Sequence, residues 1–310
     1  MTEIESYMKI VLTLCIPTYN RGYCIKEQIE RLHSCPKNIL DMIEIIISDN
    51  CSTDDTQYIV ETAIENGFNC RYIRNSINVG MDANFINCAK NAKGRYVWVL
   101  GDDDIIIIDS LVRIVKILDV PQEYGLLHIY QKNNLYSNIA YINDTEQMIK
   151  YVSYFITYIS ANIVNAKYIS HVDLEKYQGT WFALVPLYIT ALKATQTNVI
   201  LRQITFEAGK DYINNGGYNF FKVFIINYLS IINEFIANKK LRLWLKYDIW
   251  PYIWTYTRML LIKKDIRNYS LEQGWYILFR YYGLEWYFWK SIIGYPFIVI
   301  IRKLKCIINK

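Results

Sequence analysis

Residues 95–104 read Arg-Tyr-Val-Trp-Val-Leu-Gly-Asp-Asp-Asp, a β-branched and aromatic run that ends in glycine and three acids. Val, Tyr and Trp suit a pleated, buried surface, so Arg95–Leu100 predicts a strand with the acids at its carboxyl end. The same grammar occurs three times upstream. Ile10–Ile16 is an apolar run stopping at Pro17-Thr18-Tyr19-Asn20, and Ile43–Ser48 gives way to Asp49-Asn50-Cys51-Ser52-Thr53-Asp54-Asp55. Cys70–Ile73 leads to the turn Asn78-Val79-Gly80.

Helical spacing fills the intervals. Ile25, Ile29 and Leu32 share one face of a helix. Ser52 with Asp55 resembles a capping box, and Tyr58, Ile59, Thr62 and Ala63 are the expected buried face of the helix behind it. A further helix is predicted from Asp82 to Ala92, ended by Gly94, and another from Asp109 to Leu118. Strands alternating with such helices imply right-handed crossovers and a mostly parallel sheet, covered on both faces. Ligands of such sheets sit beyond the carboxyl ends of the strands, where all four polar loops are expected to converge. Farther on, 125–143 reads as strands, 144–155 and 182–195 as helices, 212–216 as a turn, and everything from Tyr218 as helical, aromatic and basic.

With 53% hydrophobic and 20% charged residues among 310, the chain is not a disordered or collagen-like one. Its seven cysteines form no C-x-x-C pair, which argues against a zinc finger, a thioredoxin-like motif or a disulfide framework. Acids precede the first apolar run, so no signal peptide is expected. The longest uncharged stretches, 151–166 and 177–192, are too short to span a bilayer. Net charge is +5 but divided: residues 1–200 hold 17 Lys and Arg against 22 Asp and Glu, and residues 201–310 hold 17 against 7. A basic, Trp-rich carboxy-terminal third fits an anionic membrane surface; helices that bury their aromatic side are the competing reading. No nucleic-acid reader motif accompanies the basic residues, and no nucleic acid is expected as a partner.

Neither G-x-G-x-x-G nor G-x-x-x-x-G-K-[ST] follows the first strand, which sets aside dinucleotide and P-loop enzymes. Asp102, Asp103 and Asp104 instead put three like charges at one strand end, where an opposing cation is expected. Mg²⁺ or Mn²⁺ held by one or two carboxylates plus substrate phosphates suits them; a solvated acidic turn is the alternative. Asp49 at the end of the second strand can reach a base edge or a ribose hydroxyl, or cap the next helix with Ser52. Tyr19 can stack on a base.

Taken in order, strand–PTYN, strand–DNCSTDDT, the Asn-rich turn from Asn75 to Asn84 and RYVWVLGDDD resemble glycosyltransferase family 2, of the bacterial surface-polysaccharide type, over about residues 9–118. The resemblance implies a GT-A fold, Rossmann-like α/β, over 1–217, with a nucleotide-binding half 9–118 and an acceptor half 119–217. A helical membrane-associating or packing region, 218–310, completes the chain. It implies nucleotide contacts from Pro17, Thr18, Tyr19, Asn20, Asp49, Asn78, Gly80, Asp102 and Asp103, and Mn²⁺ or Mg²⁺ on Asp102, Asp103 and Asp104. Two motifs depart from the common form, Asp49-Asn50-Cys51 for D-D-G and Gly101-Asp102-Asp103-Asp104 for D-x-D-D, so the resemblance does not say which two acids bind metal.

The implied reaction is inverting transfer of one sugar from a nucleotide donor, since the Gln-x-x-Arg-Trp signature of processive synthases is absent. It needs a base downstream, for which Asp173 is preferred, with Glu175, His171, Glu207 and Asp211 as alternatives. The implied acceptor is a polyprenyl-diphosphate-linked saccharide in O-antigen or capsule assembly, met at the cytoplasmic face of the membrane. A peripheral membrane-binding protein whose GT-A half is inactive is the alternative from another class.

Overall fold

The computed structural model describes residues 10–130, 138–208, 217–262 and 269–294. The chain forms two compact units, Met1–Ile213 and Asn214–Lys310. The first unit opens with β1 (Leu12–Thr18), α1 (Gly22–His33), a single helical turn α2 (Lys37–Leu40), β2 (Ile43–Asp49), α3 (Thr56–Glu65), β3 (Arg71–Arg74), α4 (Met81–Asn91) and β4 (Tyr96–Val99). It continues through β5 (Asp104–Ile106), α5 (Ile108–Leu118), β6 (Leu126–Ile129), β7 (Asn138–Ile142), α6 (Thr145–Val152), β8 (Asn162–Asn165), α7 (Val185–Ala194), β9 (Asn198–Arg202) and β10 (Phe206–Ala208).

Eight strands form one sheet in the order β3-β2-β1-β4-β8-β6-β9-β7, and β5 pairs with β10 in a separate ribbon. The first four are mutually parallel, as βαβ crossovers require, while β8 and β7 run against their neighbours. The sheet is therefore mostly parallel and lies in an α/β layer structure, as expected. Leu12, Leu14, Ile16, Ile45, Ile47 and Trp98 supply its core, all buried. Against it α5 lays Leu111, Ile114, Val115 and Leu118, each 0% exposed and spaced i, i+3, i+4, i+7. Each such side chain contributes about 1.5–3 kcal/mol on burial. The six described cysteines are free thiols, four of them buried.

Register positions the loops. Thr18 stands opposite Asp49, and Asp49 opposite Arg74, so these strands end level. On the other side of β1, pairing with β4 stops at Cys15 opposite Val99. Asp102, three residues past Val99, thus comes level with Thr18, three past Cys15.

Three local expectations are corrected. The first strand does not stop at Pro17 but runs through it, with Pro17 opposite Ser48. The Cys15 carbonyl accepts from Leu100 on the β4 side, so the ring nitrogen of Pro17 faces that side too, beyond the last β4 pair, and no ladder donor is lost. The Ser52–Asp55 capping box is absent: α3 begins at Thr56, and Ser52 is buried in the preceding loop. Tyr58 is accordingly turned outward, 73% exposed, while Thr56 and Val60 are buried and Ile59 and Ala63 pack on the core. Gly94 is not a left-handed helix stop, since α4 ends at an extended Ala92. A Cβ on Gly94 would lie 2.5 Å from the Thr13 nitrogen, so glycine is there to let the chain pass close to β1.

In the second unit α8 (Tyr228–Phe235), α9 (Lys239–Asp248), α10 (Trp250–Thr257) and α11 (Gly274–Tyr282) precede a helical stretch at 286–294. Aromatic rings knit it: Phe220 stacks on Tyr256 at 4.6 Å, and Trp250 lies 4.8 Å from Tyr282. No helix of the described residues is long and apolar enough to cross a membrane. The turn expected at 212–216 lies outside the described residues.

Candidate functional site

The four polar loops meet at the carboxyl edge of β1–β4, joined by side chains. Thr18 Oγ1 donates to Asp102 Oδ2 at 2.8 Å, and Arg21 Nη1 donates to Asp102 Oδ1 at 2.7 Å. The same Arg21 nitrogen lies 3.7 Å from Asp103 Oδ2. Burial raises the Asp102 carboxyl above its usual range and the neighbouring Asp103 charge adds to this, while Arg21 and Thr18 pull it back.

Asp104 faces elsewhere. It is the first residue of β5, and its carboxylate accepts from Tyr158 Oη at 2.8 Å and from Ser160 Oγ. Burial pushes it up to about 6 against those two hydrogen bonds. Gln28 of α1 clasps β5 by donating to the Asp104 carbonyl and accepting from the Ile106 N–H.

Asn20 occupies the left-handed region at φ 53°, a conformation that asparagine tolerates. There its N–H donates to Ser52 Oγ at 2.8 Å, and its Oδ1 accepts from the Thr53 N–H at 2.7 Å. Pro17 is buried at the end of β1, and Tyr19 is 44% exposed beside it. Asp49 is fully buried; it accepts from the Ser52 N–H at 2.7 Å and from Tyr72 Oη at 2.6 Å, with Arg74 Nε at 3.3 Å. The helix-entry role is the one this geometry displays, since Asp49 holds the loop that leads to α3. Asn78 Oδ1 accepts from Asn50 Nδ2 and from the Gly80 N–H, and Gly80, at φ 86°, starts α4.

The base candidates divide. Asn165 at the end of antiparallel β8 pairs with Tyr96 at the start of β4, and the Ala166 N–H donates to the Arg95 carbonyl. The chain thus leaves β8 at the amino-terminal edge of the sheet. Glu175 pairs with Lys90 in the last turn of α4, a helix whose first turn is at the loop edge. His171, Asp173 and Glu175 therefore lie exposed on the side away from the carboxylates, and the structure does not bring them to the site. Glu207 is on β10, whose next residue, Ala208, pairs with Asp104; it is exposed and 3.6 Å from Arg31. Asp211 lies outside the described residues.

Sequence reasoning passed over Arg21, Asp82, Tyr158 and Ser160. Asp82, in the first turn of α4, is 6% exposed and accepts from the backbone N–H of Trp181 at 2.8 Å and of Ala183 at 3.4 Å. Burial raises its carboxyl, opposed by those amides and by those of Gly179 and Thr180. Trp181 is held there at φ 69°. Arg21 directly follows the PTYN motif and was findable as a cation expected at the same sheet edge as the three acids. Tyr158 and Ser160 stand more than fifty residues from Asp104, with no local signal.

Among the described residues no group of three His, Cys, Asp or Glu side chains converges as a cage for a metal ion. Asp102 and Asp103 do approach a common point, now served by Arg21, and their hard oxygens suit a divalent ion. The donor set therefore fits a cation completed by substrate phosphates, and Asp104 is turned out of it.

Comparison with known proteins agrees with this architecture. A 40% identical stretch of 111 residues, covering 36% of this chain, is shared with the abequosyltransferase RfbV of Salmonella typhimurium, of which it covers 33%. The GalNAc(5)-diNAcBac-PP-undecaprenol beta-1,3-glucosyltransferase of Campylobacter jejuni is 28% identical over 106 residues, 34% of this chain and 33% of that protein. The chain thus spans about a third of the length of these curated relatives. In structure it is similar to S. aureus TarS 1-349 in complex with UDP, with a TM-score of 0.57 at 18% identity over 85% of this chain and 77% of that one, a likeness of fold. The model of glycosyl transferase family 2 matches residues 13–164, the span from β1 through β8 that carries all four loops, and this span of the chain belongs to that family.

Proposed function

We propose that the chain is an inverting glycosyltransferase that moves one sugar from a nucleotide-sugar donor to a saccharide acceptor carried on a polyprenyl diphosphate, in O-antigen or capsular polysaccharide assembly. The observation that carries this reading is the convergence of Asp102 and Asp103 on Arg21 and Thr18 at the carboxyl edge of β1 and β4. That is where an open α/β sheet binds its ligand. RfbV supports the reaction class, and the Campylobacter relative, a PP-undecaprenol glucosyltransferase by name, supports a lipid-linked acceptor. Residues 9–118 form the donor half, 119–217 the acceptor half, and 218–310 a region peripheral to an anionic membrane at its cytoplasmic face.

Asp102 and Asp103 hold the donor diphosphate through Mn²⁺ or Mg²⁺, which neutralises the leaving group when bound. Arg21 supplies a further positive charge beside them. Tyr19 offers a half-exposed ring to the base, with Pro17, Thr18 and Asn20 shaping that loop and Asn78 and Gly80 closing the other wall. Asp49 fixes Ser52 and Tyr72 beneath the nucleoside. Asp104 acts as a positioning residue through Tyr158 and Ser160. Of the described base candidates, Glu207 is favoured because it stands on the strand paired with the Asp104 segment.

The test is nucleotide-dependent thermal stabilisation. A panel of nucleoside diphosphates with and without Mn²⁺ is expected to raise Tm for one base, with the metal adding to the shift. An inactive GT-A shell gives no nucleotide shift, and such a result rejects the reading.

A further inference from the structure

The second unit carries more apolar surface than its core uses. Inward from α11 and from residues 286–294, Ile277, Leu278, Tyr282 and Phe288 are 4% exposed or less. Outward, Trp275, Phe279, Trp286, Trp289 and Ile293 are between 40% and 64% exposed, and Leu284 in the intervening turn is 102% exposed. Trp275 and Phe279 are one helical turn apart, and 286, 289 and 293 follow the i, i+3, i+7 spacing of a single face. Trp275 to Phe279 and Phe279 to Trp289 are 6.2 and 6.0 Å between ring centres, so these three outer rings form one continuous patch.

A continuous exposed aromatic patch marks an interaction surface, and its border identifies the occupant. The Arg280 guanidinium lies 5.9 Å from the Tyr276 ring, and the Lys290 ammonium lies 5.6 Å from the Trp286 ring. Residues 214–310 contain 15 Lys and Arg against 5 Asp and Glu. A projecting leucine, three tryptophans and flanking cations match the chemistry of a bilayer interface, where indole rings sit at headgroup depth and cations meet anionic lipid. No helix of the described residues is long and apolar enough to cross a membrane.

We propose that Leu284, with Trp286, Trp289 and Phe279 around it, inserts into the headgroup–acyl boundary of an anionic bilayer and is the anchor of this chain. This deepens the membrane location in the proposed function, yet it stands on the surface of the second unit and not on the transferase site.

The experiment is sedimentation of the full chain with phosphatidylcholine vesicles, with and without phosphatidylglycerol. Binding is expected to favour the anionic vesicles, and brominated acyl chains are expected to quench tryptophan fluorescence. Leu284→Asn with Trp286→Gln removes apolar area without changing charge and is expected to cost roughly tenfold or more in vesicle affinity. Should that pair perturb the fold by circular dichroism, Leu284→Asn alone serves, because the side chain is fully exposed. Equal recovery of variant and wild type, equal recovery with neutral and anionic vesicles, or no binding at all overturns the anchor. Nucleotide-dependent stabilisation, measured without lipid, reports separately on the transferase reading.

Discussion

Arg21 donates to Asp102 at 2.7 Å across 81 residues of sequence, and the pair is the hinge on which the site turns. Its side chains are 24% and 6% exposed, so the interaction is only partly screened by water. One guanidinium stands at the point that two adjacent carboxylates share, and that is the place the divalent ion of the proposed function would take. On that proposal, protein cation and metal ion compete for one anionic surface.

Asp103 is the carboxylate expected to matter most to turnover. Asp103→Asn keeps size and shape, and loss of its charge is expected to lower kcat about 100-fold or more, since metal–diphosphate stabilisation is worth several kcal/mol. Asp104→Asn, one residue on but turned to Tyr158 and Ser160, is expected to cost less turnover and more stability. Steady-state rates with a matched thermal melt separate the two; equal rates for Asp103→Asn and wild type reject the assignment.

Replacing Arg21 tests the competition. Arg21→Gln leaves the Asp102 carboxylate buried beside Asp103 without its main counter-charge, and about 2 kcal/mol of stability is expected to be lost. Mn²⁺ alone is then expected to raise Tm more in the variant than in wild type. Identical Mn²⁺ shifts in both proteins mean that Arg21 and the metal do not share a place.

The layers and the loop edge were legible in the sequence because they depend on local patterns. Buried strands such as Tyr96–Val99 are apolar runs, and the acids after them stand at the carboxyl edge whatever the details of packing. What failed depended on contacts across the fold. Ser52 looked like a cap because it stands three residues before an acid, yet it serves Asn20 and Asp49 instead. Asp173 looked suitable by its distance along the chain, but β8 reverses direction and delivers it to the opposite edge. A strand reversal of four residues leaves no periodic trace to read.

Asp82 ties the first turn of α4 to the 179–183 loop. Asp82→Ala leaves the Trp181 and Ala183 amides without their acceptor, at about 1–3 kcal/mol for each that stays buried, and releases Trp181 from its left-handed backbone. A loss of about 2–3 kcal/mol in chemical denaturation is expected, with nucleotide affinity retained in calorimetry. A variant as stable as wild type shows that the carboxylate does not hold the loop.

The base is tested by pairing two substitutions. Glu207→Gln is expected to cut turnover by about 100-fold with donor binding intact, whereas Asp173→Asn, at the far edge, is expected to leave both unchanged. The reverse pattern returns the assignment to Asp173 and requires a movement of the 166–177 segment toward the carboxylates.

Acid stability depends on His128. This β6 side chain is 1% exposed, and its Nδ1 lies 2.8 Å from Asn162 Oδ1. Asn162 Nδ2 donates to the Ile156 and Tyr158 carbonyls, which orients the amide and leaves Oδ1 to accept from Nδ1–H. Its Nε2 has no partner among the described residues, so a second proton there would place a buried cation with nothing to receive its hydrogen bond. Burial accordingly lowers the imidazole from 6.5 to about 4 despite the Asn162 contact. Between those values the unfolded chain binds a proton that the folded one refuses, so stability falls as pH drops through this window and the effect saturates below it. The full span is worth about 3 kcal/mol at 1.36 kcal/mol per unit. His128→Gln keeps a donor for Asn162 and does not titrate, so its stability is expected to decline less than that of wild type between pH 6.5 and 4. Denaturation midpoints across that range measure the difference directly, and parallel pH profiles for the two proteins reject a neutral, buried His128.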